Sequence, residues 1–463
     1  MEFTIDTLKR ENGDKRMLIA VHGVVYDCTS FSKKHPGGQK ILQMVSGTDA
    51  TDTFEAFHPE HGQSTKIRHF ILSMPVVGRL QGSAQTELRK DFEKVKVDFL
   101  STGMYRPSTS FFLRMNLFLF VLFGLAVYHV KMAQSLFDVI ISSLLVALFY
   151  QQAAFLGHDL CHSSALQTTR LNAVCAVFWG PLMTGIGVSW WRFSHNMHHT
   201  CVNEVERDPD IQHLPVFSLS KFAITQGGFF STYHTRFMAY DSIAKFFVTR
   251  QHIFFFPVIC VARYNLYFQS LLFSTQKFNT APTAHDAAEI ACMLLHHLAF
   301  LRVASVCAST VWHGVLLYVL ANAFSGILNL QIVSSHFSNT VSEPSERKDD
   351  VNAKDLDCLF LRQQVDSTTD IQTSPYTAWF FGGLEHQTVH HVFPRIPRHK
   401  LKDASVVLEL LCQKHGVKFH RTGFASAVRR VLVVLRALAL QARCCGTKVA
   451  ASELMSDTFH CRG

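Results

Sequence analysis

The sequence contains no Cys-x-x-Cys pair, although it holds twelve cysteines. They are scattered, and several (Cys175, Cys260 and Cys292) lie inside apolar runs. That distribution excludes a disulfide framework and reads as small buried hydrophobes in a reducing compartment. Cys444 and Cys445 follow a basic amphipathic stretch, where they are either acylation sites or idle thiols. No long basic run interleaves with stacking aromatics, so the net charge of +9 does not point to nucleic acid. It suits an anionic membrane face instead. The first residues, Met-Glu-Phe-Thr-Ile-Asp, show neither a basic n-region nor an apolar h-region. No cleaved signal peptide is expected, and the first domain is expected to stay in the cytosol. What the chain has in plenty is apolar surface. Of 463 residues 48% are hydrophobic, 40 of them phenylalanine, and the mean hydropathy is positive. The length allows two or three domains, and the composition reads as an integral membrane protein with soluble parts.

Three histidine clusters stand out against that background. The central one is His195-Asn196-Met197-His198-His199, after Trp190 and Trp191. On a helix, His195 and His199 are one turn apart and His198 lies beside them. Three imidazoles projecting together fill a core poorly and hold a transition metal well. Upstream, His158 and His162 have the spacing of one helical turn, and Asp159 between them can orient a ligand imidazole as an outer carboxylate. Downstream, His390 and His391 follow Gln387, which stands where a histidine would complete a second HxxHH. Gln387 is carried as a weak or indirect ligand, and His386, one position off, as an outer contact. Helical histidine pairs also occur as satisfied structural residues, and only the three clusters together point to a metal.

The runs between the clusters explain how they meet. Phe111–Val130 and Ser135–Leu156 have bilayer length and form a hairpin that returns the chain to its starting side. Leu171–Val188 contains Gly180-Pro181, Gly185 and Gly187 and is read as re-entrant or interfacial, not a straight span. Residues 204–211 form a charged, cytosolic turn. Residues 215–250 are expected to lie along the membrane surface, and Phe254–Phe273, interrupted by Arg263, Tyr264 and Asn265, to be interfacial, with a full span as the alternative. Ala287–Cys307 and Val311–Val333 form a second hairpin, with His296, His297 and Arg302 expected to face protein or a polar cavity. His336 ends that span on the side where the other histidines collect, and is read as an interfacial residue or a ligand. Ala427–Arg443 carries Arg429, Arg436 and Arg443 at heptad spacing against Val, Leu and Ala. It reads as a coiled-coil face or, preferably, as a helix lying on the membrane surface.

The first 90 residues look soluble, with short strands over Met17–Val21 and Val24–Cys28. Their key piece is His35-Pro36-Gly37-Gly38, a tight turn that fixes an imidazole and leaves room for a flat ligand. Followed by Gly47-Thr48-Asp49-Ala50-Thr51 and a histidine, it resembles the cytochrome b5 haem domain. In that family two histidines ligate one haem b from opposite sides. His35 matches the first and His58 the second, with His61 as the competitor. A haem with two axial imidazoles has no open site, which suits electron transfer. An electron carrier in the same chain is useless to zinc hydrolysis and necessary to a redox metal, so iron with dioxygen is the economical reading of the clusters.

The order HxxxH, HxxHH, QxxHH after an HPGG domain resembles the front-end lipid desaturases fused to cytochrome b5, over nearly the whole chain to about residue 410. The resemblance implies an α+β cytochrome b5-like domain (1–82), a linker (83–107), an all-α integral membrane desaturase domain (108–420) with about four transmembrane helices and a cytosolic di-iron site, and a C-terminal amphipathic tail (421–463). It implies that His158, His162, His195, His198, His199, His390 and His391 bind two non-haem irons, with His336 as the match for a further histidine after the fourth span. It also implies O2 as co-substrate and electrons from NAD(P)H through a cytochrome b5 reductase, in the endoplasmic reticulum membrane. The third box departs from the family at Glu385-His386 and Thr388-Val389. The phrases Asp208–Pro215 and Thr368–Ile371 look more like the branch of Δ8 sphingolipid and plant-type Δ6 acyl desaturases, so the substrate reading leans to a sphingoid long-chain base or ceramide. The alternatives are a Δ5, Δ6 or Δ8 acyl-lipid desaturase, a lipid hydroxylase, and a non-catalytic membrane haem carrier. Gln387 argues against the hydroxylase. A metal transporter would place its histidines within spans, not at their ends.

Overall fold

A computed structural model describes residues 1–447, apart from 14, 61, 63, 83–85, 308–309, 340 and 344–357. His61, the competing haem ligand, lies outside the described residues. The N-terminal unit is built on a sheet of β1 (Glu2–Phe3), β2 (Leu18–Val21), β3 (Val24–Asp27) and β4 (Val76–Leu80), in the order β1-β4-β3-β2. β1 runs parallel to β4, and the other neighbours are antiparallel. His22 and Gly23 both take positive φ, the two-residue hairpin turn that matches strand twist. Alternation along β2 sends Leu18 and Ala20 to one core, with Phe3, Leu8 and Val25, and Ile19 to another, with Cys28 and Ala50. The second face is covered by Leu42 and Val45 of α1 (Gln39–Val45). α2 (Thr51–Phe57) and α3 (Thr65–Ser73) complete the unit.

The stretch read as a linker differs. Residues 87–101 form α4 (Glu87–Ser101), with Thr86 as N-cap. Leu88, Phe92 and Phe99 make an apolar stripe that packs on Val389, Phe393, Ile396 and Leu408, around and beyond the third histidine cluster. The charged residues between them make the stretch look like a solvated connector; the helical spacing of the three apolar positions decides otherwise. α4 also grips the first unit. Asp52 on α2 accepts from Arg89 Nη1 at 2.7 Å and from Lys96 Nζ at 2.8 Å, and Lys96 also reaches Glu55 at 2.5 Å.

Among the described residues four helices are long and apolar enough to cross a membrane. They are α5 (Thr109–Met132), α6 (Leu136–Cys161), α9 (Ala284–Cys307), and the continuous pair α10 (Val311–Leu328) and α11 (Leu330–Phe337). A capping box, Ser135 Oγ on the Asp138 amide and Asp138 Oδ2 on the Ser135 amide, starts α6 directly after α5 and makes the first hairpin. The run read as re-entrant is indeed broken: a helix over Thr169–Val177 passes into a wide turn at Phe178–Leu182, which holds Pro181.

The run at 254–273 lies within α8 (Gln251–Thr280), 30 residues long and bent 95° from the helix Ser242–Val248. Taken as one broken span, the pair would be a fifth crossing. Its Arg263 is buried and donates to Tyr267 Oη (2.7 Å), Ser325 Oγ (3.2 Å) and the Thr184 carbonyl (2.6 Å). α8 crosses α10 closely: a Cβ on Gly326 would overlap the Ile259 carbonyl. His296 faces protein as expected, between Tyr150 Oη and the Leu182 carbonyl, whereas Arg302 is exposed.

Residues 215–250, read as lying along the membrane surface, have a compact fold of their own. They fold into short helices and the hairpin β5 (Gly228–Ser231) and β6 (Arg236–Ala239) around Ile224, Phe229, Met238 and Tyr240. α12 (Leu359–Asp366), α13 (Gln387–Val392) and α14 (Arg398–Lys414) follow. The last helix, α15 (Phe424–Cys444), turns its apolar stripe of Ala427, Val431, Leu435, Ala439 and Ala442 into the protein. Val431 and Leu435 meet Phe255, Ile259 and Phe337, so this stripe is covered by protein and not left for lipid.

Candidate dinuclear metal centre and haem site

Four elements deliver the histidines to one point. His158 lies in the last turn of α6 and His162 caps it, with ring centroids 4.6 Å apart. α7 (Val188–Thr200) carries His195, His198 and His199, and Trp191 stacks on His195 at 4.1 Å. α11 ends at Phe337 and places His336 in its last turn. α13 brings Gln387, His390 and His391 after a turn at Gly382-Gly383, where both φ are positive, a conformation glycine adopts without strain.

The nitrogens fall into two sets. His158, His162, His195 and His390 offer ligand atoms within 4.8 Å of one another, and so do His198, His336 and His391. His199 lies between the sets: its Nε2 is 3.0 Å from His195 Nε2, and its ring stacks on His391 at 4.1 Å. Gln387 Nε2 is 3.0 Å from His336 Nε2. His386 joins neither set and turns towards Asp370, 3.7 Å away.

The surroundings suit metal ligation. His158 Nε2 and His390 Nε2 face each other at 3.0 Å, and two lone pairs at that distance repel unless a proton or an ion lies between. His162 Nε2, His199 Nδ1, His391 Nε2 and Gln387 Oε1 are buried without a hydrogen-bond partner. Buried polar atoms are rarely left so, and an ion would satisfy them. The opposite ring nitrogens are held: His198 Nδ1 donates to Asp208 at 2.9 Å, His391 Nδ1 to Gln364 Oε1 at 3.0 Å, and His158 Nδ1 to Asp159 Oδ1 at 3.3 Å. That arrangement fixes tautomer and ring plane. Asp159 thus takes the place expected of it, tied to Arg398 behind.

Asp208 and Gln364 were not singled out by sequence reasoning. Asp208 sits in the charged turn after the second cluster, ten residues from the ring it orients. Gln364 carries no motif, and it bridges to the His199 carbonyl as well.

Charge follows the same plan. Burial, and then the neighbouring imidazoles, hold His195, His199, His390 and His391 well below the usual histidine range, so their rings are neutral. For His198 burial acts the same way but is outweighed by Asp208 and Asp210, and its pKa rises to about 9. A donor set of imidazoles fits iron, copper, nickel or zinc.

In the N-terminal unit, Gly38 at φ +92° closes the turn, and His35 Nδ1 lies 3.3 Å from its carbonyl. Phe31 sits edge-on to His35 and packs on Phe70. Burial lowers the His35 pKa and keeps the ring neutral. His58 follows α2 directly, donates through Nδ1 to the Phe54 carbonyl at 3.0 Å, and stacks on Phe54. Each ring is anchored through Nδ1, which leaves Nε2 as the nitrogen that could meet a haem iron.

A helical unit with two buried sets of histidine nitrogens, joined to an α+β unit that offers His35 and His58, has the parts of a membrane redox enzyme with its own electron carrier. Comparison with known proteins agrees. Residues 135–423 match the fatty acid desaturase family and residues 4–81 the cytochrome b5-like heme/steroid binding domain. The chain belongs to the fatty acid desaturases, as a front-end lipid desaturase with a fused cytochrome b5 domain. It is 30% identical to the acyl-lipid (9-3)-desaturase of Borago officinalis over 99% of this chain and 98% of that one. It is 31% identical to the Delta(8)-fatty-acid desaturase of Helianthus annuus over 99% and 96%. To the Delta 8-(E)-sphingolipid desaturase of Kluyveromyces lactis it is 28% identical over 77% of this chain and 60% of that one. The family implies heme and di-iron, a lipid substrate and a membrane setting. The protein is therefore an oxidoreductase, and the hydroxylase and pure-carrier readings give way to desaturation.

Proposed function

We propose that the enzyme inserts a double bond into a long lipid chain on the polar-head side, with a sphingoid long-chain base, free or in ceramide, as the substrate. The observation that carries the di-iron reading is the convergence of six box histidines and His336 into two adjoining nitrogen sets, with His199 between them. His158, His162, His195 and His390 are assigned to one iron, and His198, His336 and His391 to the other. His199 is assigned to the seam between them, and Gln387 to a contact beside His336. When iron is bound there, it supplies the activation of dioxygen by which two hydrogens leave neighbouring carbons. The protein's own contribution is to hold His195, His199, His390 and His391 neutral, to aim the rings through Asp208, Gln364 and Asp159, and to bury the site away from water.

His35 and His58 are assigned to one haem b, fed from NAD(P)H by a cytochrome b5 reductase. The haem unit touches the membrane unit at His199, and that face is assigned to the cytosolic side of the endoplasmic reticulum. A second reading, an acyl-lipid Δ5, Δ6 or Δ8 desaturase, is favoured by the near-complete overlap with relatives named for acyl-lipid and fatty-acid desaturation.

Yeast expressing the chain, fed phytosphingosine or polyunsaturated acids, separates the two. Sphingoid bases and fatty acids are released and their double bonds located by mass spectrometry. A new double bond in the base supports the first reading, and one in an acyl chain with the base unchanged supports the second. His198→Ala should abolish either product and leave the haem spectrum intact, while His35→Ala should remove the haem spectrum.

A further inference from the structure

The end of α2 touches the metal centre. Phe57, the residue before His58, lies edge-on to His199 with ring centroids 6.4 Å apart at 78°. His199 is 1% exposed, so this contact is made inside the protein. The Phe57 carbonyl accepts from Arg395 Nη1 at 3.3 Å, four residues after His391. The same helix is held from behind by Asp52 and Glu55 on Arg89 and Lys96 of α4. On the other edge of the haem unit, Lys40 Nζ reaches the Tyr233 carbonyl at 2.5 Å, and Gly38 lies beside the Phe193 ring. Three independent contacts thus press the haem unit onto the membrane unit with Phe57 at the seam.

We propose that Phe57 is the positioning residue through which the electron passes from the haem unit to the metal centre, by way of His58, the Phe57 ring and His199. The proposal rests on the assignment of His58 as a haem ligand and of the clusters as an iron centre. In each transfer the haem iron goes from ferrous to ferric and one non-haem iron from ferric to ferrous. No bond is made or broken, and no proton moves along an all-carbon ring. Two such transfers, with electrons supplied by the pyridine-nucleotide reductase, account for the two electrons consumed per double bond. Electron tunnelling falls steeply with the gap between contacting groups. A ring at the seam closes that gap and excludes water, and an aliphatic side chain does neither as well.

The test uses the full chain in detergent, loaded with haem and ferric non-haem iron, without oxygen. The haem is reduced by a light flash in the presence of a flavin donor, and its reoxidation is followed by absorbance. With no oxidant but the ferric centre, that decay reads the inward transfer alone. Phe57→Leu should slow it about tenfold or more, which corresponds to about 1.4 kcal/mol of barrier, and Phe57→Tyr should restore it. Haem spectrum, iron content and the rate of haem reduction by the reductase should stay as in the unaltered protein in both. A purely structural role would move those three readouts together. If Phe57→Leu loses haem, Phe57→Met takes its place, with the same slowing expected. Inward transfer at the unaltered rate in the Leu or Met protein, with spectrum and iron intact, overturns the proposal alone. A haem spectrum that still shows two axial imidazoles in His58→Ala overturns the assignment of His58, and the route with it.

Discussion

Asp208→Asn is the sharpest probe of how the second nitrogen set is built. Asp208 is fully buried and only accepts. Its Oδ2 takes the His198 Nδ1 hydrogen at 2.9 Å and the Asn203 amide at 2.7 Å, and its Oδ1 takes the Asp210 amide at 2.9 Å. Asparagine has the same shape but replaces one acceptor oxygen with a donor. In either orientation its NH2 meets an N–H, and at least one buried donor is stranded. A stranded buried donor costs about 1–3 kcal/mol, which is roughly 5- to 150-fold in an equilibrium constant. This agrees with the 10- to 100-fold loss of metal affinity or activity typical of removing such an orienting partner, an order-of-magnitude figure. The assay is non-haem iron per chain in purified protein, alongside product formed in yeast. The expected outcome is a protein with normal haem absorbance, depleted iron and product down by about one to two powers of ten. Normal iron and normal product in Asp208→Asn would refute the reasoning.

Other outcomes follow from the same geometry. Lys96→Met leaves Asp52 and Glu55 without their shared cation, each of the three side chains being at most 16% exposed. The loss should be about 3 kcal/mol, seen as an earlier loss of haem absorbance on heating, with Lys96→Arg largely retaining it. Gly326→Ala forces a methyl against the Ile259 carbonyl and should cost about 1–3 kcal/mol, read as reduced thermal stability in detergent. In protein stripped of metal, the His198–Asp208 pair contributes stability that is full below the free histidine pKa of about 6.5 and lost as pH rises through about 9. Metal must displace that proton, so cobalt(II) affinity should climb with pH, by up to about tenfold per unit, and level off near 9. Chelation of the loaded protein should lower its melting temperature while the haem spectrum persists, because the metal binds only the folded histidine sets.

Much of this architecture is legible in the sequence, for physical reasons that differ by element. His158 with His162 and His195 with His199 stand one turn apart, so the common face of each pair follows from helix geometry alone, whereas the adjacent His390 and His391 turn to different sets. The first hairpin follows from the lengths of two apolar runs. His336 is placed by where a span ends. What is not legible depends on parts of the chain far apart. α4 looks like a linker because Leu88, Phe92 and Phe99 are outnumbered by charges whose partners, Asp52 and Glu55, come from another unit. α15 looks like a membrane-surface helix because an apolar stripe does not say what covers it; here Phe255, Ile259 and Phe337 do. The uninterrupted length of α8 is hidden by Arg263, whose three acceptors come from Tyr267, Ser325 and Thr184. Asp208 and Gln364 carry ordinary labels in sequence and acquire a role only through the rings they meet.

The clamp between the two units also changes the kinetics of supply. A free carrier reaches its acceptor by collision, at a rate that falls when either is diluted. Here donor and acceptor share one polypeptide and are already apposed, so delivery is unimolecular, as if the carrier were present at about millimolar local concentration or above. Turnover per molecule should then be indifferent to how sparsely the enzyme is scattered in the membrane. It should depend on outside carriers only for the filling of its own haem.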